Sequence, residues 1–259
     1  MVKIGSRGHG QQSHACRWSL EGRVALVTGA AGGLGKAIVA ELRERGADVH
    51  GVGIASEGVF HADLATASGN REMITHVLAS AGRLDILVLN AGSQFVAPIN
   101  QFPDAEWERL RGVMLDGPFF AMKAAWSALT KLPGGRVVVT ASTASFAGAP
   151  GKAAYVTAKH GILGLVRVAA LEGAPHGLTV NAVAPGWMDT KMMRDQLMVQ
   201  AAATGVSTDE IVACFRTAQL TKRFVDVREV AAVIGFLASP CASGINGECI
   251  TIDLGASAR

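Results

Sequence analysis

Apolar residues along this chain follow two rhythms. Short unbroken runs occur at Val24-Ala25-Leu26-Val27, at 49–54, at Ile86-Leu87-Val88-Leu89, at Val137-Val138-Val139, at Thr179-Val180-Asn181-Ala182-Val183 and at Ile250-Thr251-Ile252. They are too short for helices and read as strands. Between them, residues 36–45, 71–81, 104–132, 153–171 and 227–237 place apolar side chains at helical spacing. Strands that are apolar along their whole length are covered on both faces, and alternation with helices implies a parallel sheet. The expected fold is α/β, a doubly wound parallel sheet in one domain. One connection breaks the pattern. Almost nothing separates Ile54 from the next candidate strand at Val59-Phe60-His61, where a parallel crossover takes about a dozen residues. The crossover after the second strand is expected to lack its helix.

Composition narrows the function classes. Of the 259 residues 49% are hydrophobic and 17% charged, which favours a large core over disorder. The formal charge is +3 with scattered basic residues, so no nucleic-acid partner is expected. No apolar run reaches the length of a membrane span. Four cysteines without metal-ligand spacing read as reduced thiols in a cytoplasmic protein, with no metal site. Residues 1–18 are polar and glycine-rich and are expected to be a poorly ordered extension, leaving 19–259 as the catalytic domain.

The chemistry concentrates at three places. Thr28-Gly29-Ala30-Ala31-Gly32-Gly33-Leu34-Gly35 joins the first strand to a helix. Glycines there let the backbone approach a pyrophosphate, which the helix N-terminus then stabilises. A tight strand-to-helix turn is the plainer alternative. The single tyrosine, Tyr155, stands four residues before Lys159, so one helix face carries both. A phenol titrates near pH ~10 in water, and a nearby ammonium is expected to lower that value. Ser142 follows the 137–139 run, where its hydroxyl could hold a substrate oxygen beside the phenol. Near Gly53, where the second strand ends, neither a carboxylate nor an arginine adjoins; Glu57 is the nearest acid. This favours NAD over NADP, with NADP still open and Glu57 as the ribose ligand.

Together these pieces resemble the short-chain dehydrogenase/reductase family. The matching residues are Thr28-Gly29-x-x-x-Gly33-x-Gly35, Asp63-Leu64, Asn90-Ala91-Gly92, Ser142, Tyr155-x-x-x-Lys159, Asn181 and Pro185-Gly186, in family order. The resemblance implies a Rossmann-like domain, a nicotinamide cofactor, interconversion of an alcohol and a ketone, and a homotetramer. It makes Tyr155 the general acid/base. Lys159 would lower the phenol's pKa and hold the nicotinamide ribose, and Ser142 would bind the reacting oxygen. Gly29, Gly33, Leu34 and Gly35 would cradle the cofactor, with Asp63 and Leu64 at the adenine. Asn90, Ala91 and Gly92 would shape the cleft; Pro185, Gly186 and Thr190 would meet the nicotinamide. Outside the resemblance, Asp63 and Asn90 fit a helix cap and a turn.

The second half is similar to D-3-hydroxybutyrate dehydrogenases, through Ala153 to Ile162, Leu220-Thr221-Lys222-Arg223-Phe224-Val225 and Asn90 to Ile99. That likeness implies a carboxylate-bearing substrate held by Gln94, Lys152 and Gln196, with Trp187, Ser142 and Tyr155 also lining the site. An exposed loop lysine is the alternative for Lys152. Three departures stand out: Ala144 replaces an expected histidine, no tryptophan follows Leu254, and Met114 occupies the place of the family's catalytic asparagine. The last disturbs the water relay that returns the proton from Tyr155 to solvent. Residues 186–222 read as a substrate lid. Met188, Met192, Met193 and Met198 there suit either a mobile cover over an apolar substrate or the apolar face of a surface helix. The leading expectation is an NAD(H)-dependent dehydrogenase of a small hydroxy acid such as 3-hydroxybutyrate. Alternatives are a hydroxysteroid or cyclic-alcohol dehydrogenase and a catalytically idle dinucleotide-binding regulator.

Overall fold

The computed structural model of the chain describes residues 18–54 and 58–258. Among these, the strands are β1 (Val24–Thr28), β2 (Asp48–Gly53), β3 (Phe60–His61), β4 (Ile86–Leu89), β5 (Arg136–Thr140), β6 (Thr179–Pro185) and β7 (Cys249–Ile252). They form one parallel sheet in the order β3-β2-β1-β4-β5-β6-β7. The strand order reverses between β1 and β4, so a crevice opens beyond their carboxyl ends.

Side-chain alternation along the strands splits the core in two. Ala25 and Val27 face Ile38 and Leu42 of α1 (Gly33–Glu44) and Val230 and Ile234 of α8 (Val227–Ala238). Val24 and Leu26 face the opposite layer, built from α2 (Ala67–Ala81), α4 (Gly117–Thr130) and α5 (Ala153–Gly173). Asn181, fully buried on β6, ties the last strands together: its amide donates to Ile245 O at 2.8 Å and accepts from Glu248 N at 3.1 Å.

The short connection is as expected. No helix lies among the described residues between β2 and β3, and Val59 fills part of the space, 3.2 Å from where a methyl on Gly51 would sit. The connection suffices because β3 pairs only with Val52 and Gly53. The chain has to drop back only about two residues of rise, roughly 7 Å.

Elsewhere the elements differ from the periodicity. α2 begins four residues early because Thr66 caps it, its hydroxyl accepting from Gly69 N at 3.1 Å. The long helical stretch is three pieces, α3 (Asp104–Arg111), a π-helical turn (Gly112–Asp116) and α4. The lid region contains two helices, α6 (Lys191–Thr204) and α7 (Thr208–Ala218), that the periodicity did not separate. Their caps were visible: Thr190 starts α6, and Ser207 with Glu210 forms a capping box on α7. Trp18 packs on the domain, its ring 5.1 Å from Phe236 and under the Arg45 guanidinium. The rest of the expected extension, residues 1–17, and Glu57 lie outside the described residues. Cys214 and Cys249 are free thiols, whereas Cys241 is disulfide-bonded and departs from the expectation of four reduced cysteines. No helix among the described residues is long and apolar enough to cross a membrane. Nor do the described residues hold a cluster of three or more side chains able to bind a metal ion.

Candidate active site

The turn after β1 is shaped by what its glycines exclude. Gly29 adopts φ +66°, and a methyl on it would meet Ala91 Cα at 2.9 Å. A methyl on Gly35 would lie 2.0 Å from Gly29 O, so α1 can start this close to the loop only with glycine there. Gly32 precedes α1, and no side chain caps the helix. Its first-turn N–H groups, at Gly33 and at the buried Leu34 and Gly35, keep the positive end of the helix available to an anion. Thr190 arches over from beyond β6, its methyl 3.7 Å from where a side chain on Gly33 would begin. A backbone cradle with a bare helix N-terminus, roofed by Thr190, fits the pyrophosphate of a dinucleotide.

The floor of the crevice is a hydrogen-bond network between strand ends. Thr28 Oγ1 accepts from Asn90 N and Ala91 N at 2.9 and 3.1 Å. The Asn90 amide donates to Thr28 O at 3.0 Å and accepts from Thr140 Oγ1 at 3.3 Å. Thr140 O in turn accepts from the Lys159 ammonium at 2.5 Å. Thr140 escaped the sequence reading, and Thr28 entered it only as the start of the glycine motif, without this role; the available signal was a polar residue closing an apolar strand. Asp63 is exposed, and its carboxylate accepts from Ala65 N at 3.0 Å in a turn ahead of α2, whose cap is Thr66, while Leu64 is buried beneath. Pro185 ends β6. Gly186 donates to Ile252 O at 2.9 Å and could not carry a methyl, which would meet Asp253 Cβ at the same distance.

Ser142, Tyr155 and Lys159 come together as the spacing predicted. Ser142 starts a short 3₁₀ turn after β5, accepting from Ala144 N at 3.1 Å and hydrogen-bonding the Tyr155 phenol. Lys159 lies one turn along α5 from Tyr155, its ammonium 5.7 Å from the ring centroid. Electrostatics differ from the expectation. Burial pushes the Tyr155 phenol above its ordinary value, and the Ser142 hydrogen bond only partly opposes it. Burial brings the Lys159 ammonium down to about 8. The ammonium is held on Thr140 O, and desolvation sets the direction of the phenol's shift.

Met114 is 2% exposed and packs with Leu110, Ala154, Ala158 and Tyr155. Its sulfur lies 3.6 Å from where a methyl on Gly92 would sit. Behind the catalytic helix there is therefore apolar packing where the family pattern has an amide.

Three expected substrate contacts converge at the mouth. Lys152, just before α5, donates to Gln196 Oε1 of α6 at 3.4 Å. Its ammonium sits 4.9 Å from the Trp187 ring centroid, a cation–π distance. Burial lowers the Lys152 pKa, so it is not the exposed loop lysine of the alternative. Gln94 makes no hydrogen bond to this trio, but its loop is fastened beside it: Ala97 N donates to Gly151 O at 3.0 Å, and a methyl on Gly151 would meet Val96 at 2.9 Å. Trp187 packs on Phe215 at 4.6 Å and joins Met193, Leu197 and Ile211 in a small separate core. Of the lid methionines, Met193 is buried there, whereas Met192 and Met198 are exposed.

Comparison with known proteins bears on this constellation. A family model described as enoyl-(acyl carrier protein) reductase matches residues 29–257. The chain belongs to the short-chain dehydrogenase/reductase family, dinucleotide-binding oxidoreductases that act on alcohols and ketones. It is 39% identical to the uncharacterized oxidoreductase YxjF of Bacillus subtilis (strain 168), over 92% of this chain and 99% of that one. It is 34% identical to the D-beta-hydroxybutyrate dehydrogenase of Rhizobium meliloti (strain 1021), again over 92% and 99%. The solved structure of Thermoplasma acidophilum aldohexose dehydrogenase superposes with a TM-score of 0.86 at 30% identity, covering 92% of this chain and 95% of that one.

Proposed function

We propose that this enzyme uses NAD(H) to interconvert a secondary alcohol and a ketone on a small hydroxy acid, 3-hydroxybutyrate or a related compound. The observation carrying the substrate class is the meeting of Lys152, Gln196 and Trp187, with Lys152 three residues before Tyr155. A half-buried ammonium beside an amide and an indole suits a carboxylate whose carbon skeleton lies against the ring. The bound nicotinamide supplies hydride acceptance in oxidation and hydride donation in reduction. Tyr155 takes the hydroxyl proton in one direction and returns it in the other, while Ser142 holds the same oxygen. Lys159, fixed by Thr140 O, holds the cofactor's ribose within reach of the phenol. Gly29, Gly33, Leu34 and Gly35 take the pyrophosphate, Asp63 and Leu64 border the adenine, and Asn90, Ala91, Gly92, Pro185, Gly186 and Thr190 frame the nicotinamide side. Gln94 adds a further donor to the substrate.

Where a side chain on Gly53 would begin, the described atoms within 4 Å belong to Val59 and Ala31, neither an acid nor an arginine, which supports a preference for NAD of modest size, with Glu57 as ribose ligand. The assembly proposed is a cytoplasmic homotetramer, supported by Phe119, Val168 and Leu171 exposed on α4 and α5. The deciding experiment is a spectrophotometric panel of hydroxy acids, cyclic alcohols and steroids with both cofactors. Turnover confined to neutral cyclic substrates would remove the hydroxy-acid assignment.

A further inference from the structure

The proposed reaction fixes three of the four groups on the reacting carbon. Oxidation takes a hydride from that carbon to the nicotinamide and the hydroxyl proton to the Tyr155 oxygen, leaving C=O. The oxygen is held by Ser142 and Tyr155, the hydrogen faces the nicotinamide, and the carboxylate arm runs to Lys152 and Gln196. On a tetrahedral carbon the fourth group points away from all three. The side chains it meets there decide which hydroxy acid fits.

Apolar side chains from four segments stand around these anchors. Ala144 N lies 3.1 Å from the Ser142 hydroxyl. Two further bonds of about 1.5 Å put the Ala144 methyl within roughly 6 Å of that hydroxyl. Ala144 is half-buried, and its methyl fills little space. Trp187 lies against the Lys152 ammonium. Met192 stands one turn before Gln196 on α6, so the two share a face. Gln196 reaches Lys152 from that face, yet Met192 is exposed, so the space in front of it is open. Val96, on the other side against Gly151, is exposed as well. So are Ile99, three residues after Val96, and Phe146, in the loop that leads to Gly151. Single exposed apolar residues are ordinary on a surface. Here they share the surroundings of one ammonium, and methionine moulds readily to flexible chains.

We propose that the fourth group is an unbranched alkyl chain longer than methyl, lying between Ala144, Trp187 and Met192, and that the preferred substrates are 3-hydroxy acids of six or more carbons. Ala144 leaves room where the chain begins. Met192 covers it further out, and Val96 closes the opposite side. The Lys152 ammonium fixes the polar end, so added carbons lengthen the apolar end and leave the reacting oxygen in place. Ala144 and Met192 therefore set the chain length. This inference rests on the hydroxy-acid reading of the site.

The test compares kcat/KM for 3-hydroxybutyrate, 3-hydroxyhexanoate and 3-hydroxyoctanoate with NAD. Burying one methylene gives about a fourfold gain, so the six-carbon acid should exceed the four-carbon acid by about tenfold or more. Ala144→Leu fills the start of the chain's path and should reduce that ratio at least about tenfold. Met192→Gln keeps the size of an exposed side chain and removes its apolar character; the ratio should fall about threefold with Tm unchanged. Both variants are read as a ratio of two substrates, which a general loss of folding or turnover leaves unmoved. Equal or better use of 3-hydroxybutyrate by the wild type overturns the proposal, as does a chain-length ratio that neither substitution moves. Absence of turnover on all three acids sinks the hydroxy-acid reading itself, and this inference with it.

Discussion

At the residue scale, Tyr155 and Lys159 both sit where burial opposes their charged forms. The phenol stays protonated at neutral pH, the form that ketone reduction uses. Reduction is therefore expected to be flat in kcat/KM from pH 6 to 8, whereas oxidation, which needs the phenolate, should climb with pH across that range; parallel profiles in both directions test this. Tyr155→Phe should lower turnover by at least ~10²-fold while cofactor affinity holds, since the ring remains. Near-normal turnover in that variant would remove Tyr155 as the acid/base. Lys159 also affects stability. Its value of about 8 in the folded protein lies below its ordinary 10.5. Between these two values the unfolded chain binds more protons, so this residue's contribution to stability improves as pH rises through the window. Relative to Lys159→Met, wild-type Tm should therefore gain on going from pH 7 to 10, as scanning calorimetry of both proteins would read. At the mouth, a charge-assisted contact contributes roughly 1.5–3 kcal/mol. Lys152→Ala should thus weaken kcat/KM for an acid substrate by one to two orders of magnitude and leave neutral alcohols little changed; equal losses for both would remove the carboxylate contact.

At the element scale, two features govern the site. The glycine turn brings α1 so close to β1 that a methyl on Gly35 would collide with Gly29 O at 2.0 Å. Gly35→Ala must push the helix N-terminus off the loop, so dinucleotide affinity measured by titration calorimetry should fall by at least about tenfold, roughly 1.4 kcal/mol. Unchanged affinity would place the pyrophosphate elsewhere. The second feature is the pair α6 and α7 in the region expected as a lid, which packs largely on itself through Met193, Leu197 and Ile211. Its base is held by Val225 N donating to Trp187 O at 2.9 Å, and by the paired Asp189 and Arg194. A pair of helices with its own small core moves more easily than one fused to the main core. The Lys152–Gln196 bond, at 3.4 Å, reaches from this pair to the start of the catalytic helix.

At the scale of the whole molecule, the outer faces of α4 and α5 leave Phe119, Val168 and Leu171 in solvent, with Gly161 and Gly164 exposed beside them. Small and apolar residues on long helices allow close helix–helix approach between copies. Light scattering should find a tetramer, and the pair Val168→Glu and Leu171→Glu should shift it to smaller species, because charges would be buried unpaired. A tetramer that survives both substitutions would place the interface elsewhere.

Much of this was legible from residue order alone. Runs such as Ile86-Leu87-Val88-Leu89 have no polar face to leave in water, so they had to be central parallel strands, and the order of motifs placed Gly29, Ser142, Tyr155 and Lys159 at one end of that sheet. Such features are local: a glycine turn or an i, i+4 pair carries its geometry in a few residues. The π turn was hidden because apolar spacing does not reveal whether a hydrogen-bond ladder skips four residues or five. The lid helices were hidden because their apolar residues answer to each other rather than to the main core. The Thr140 carbonyl that anchors Lys159 carries no side-chain signature at all. The direction in which Tyr155 titrates was decided by the tertiary structure alone. Sequence spacing reveals that a lysine is near, whereas the desolvation that sets the direction comes from everything packed around the phenol.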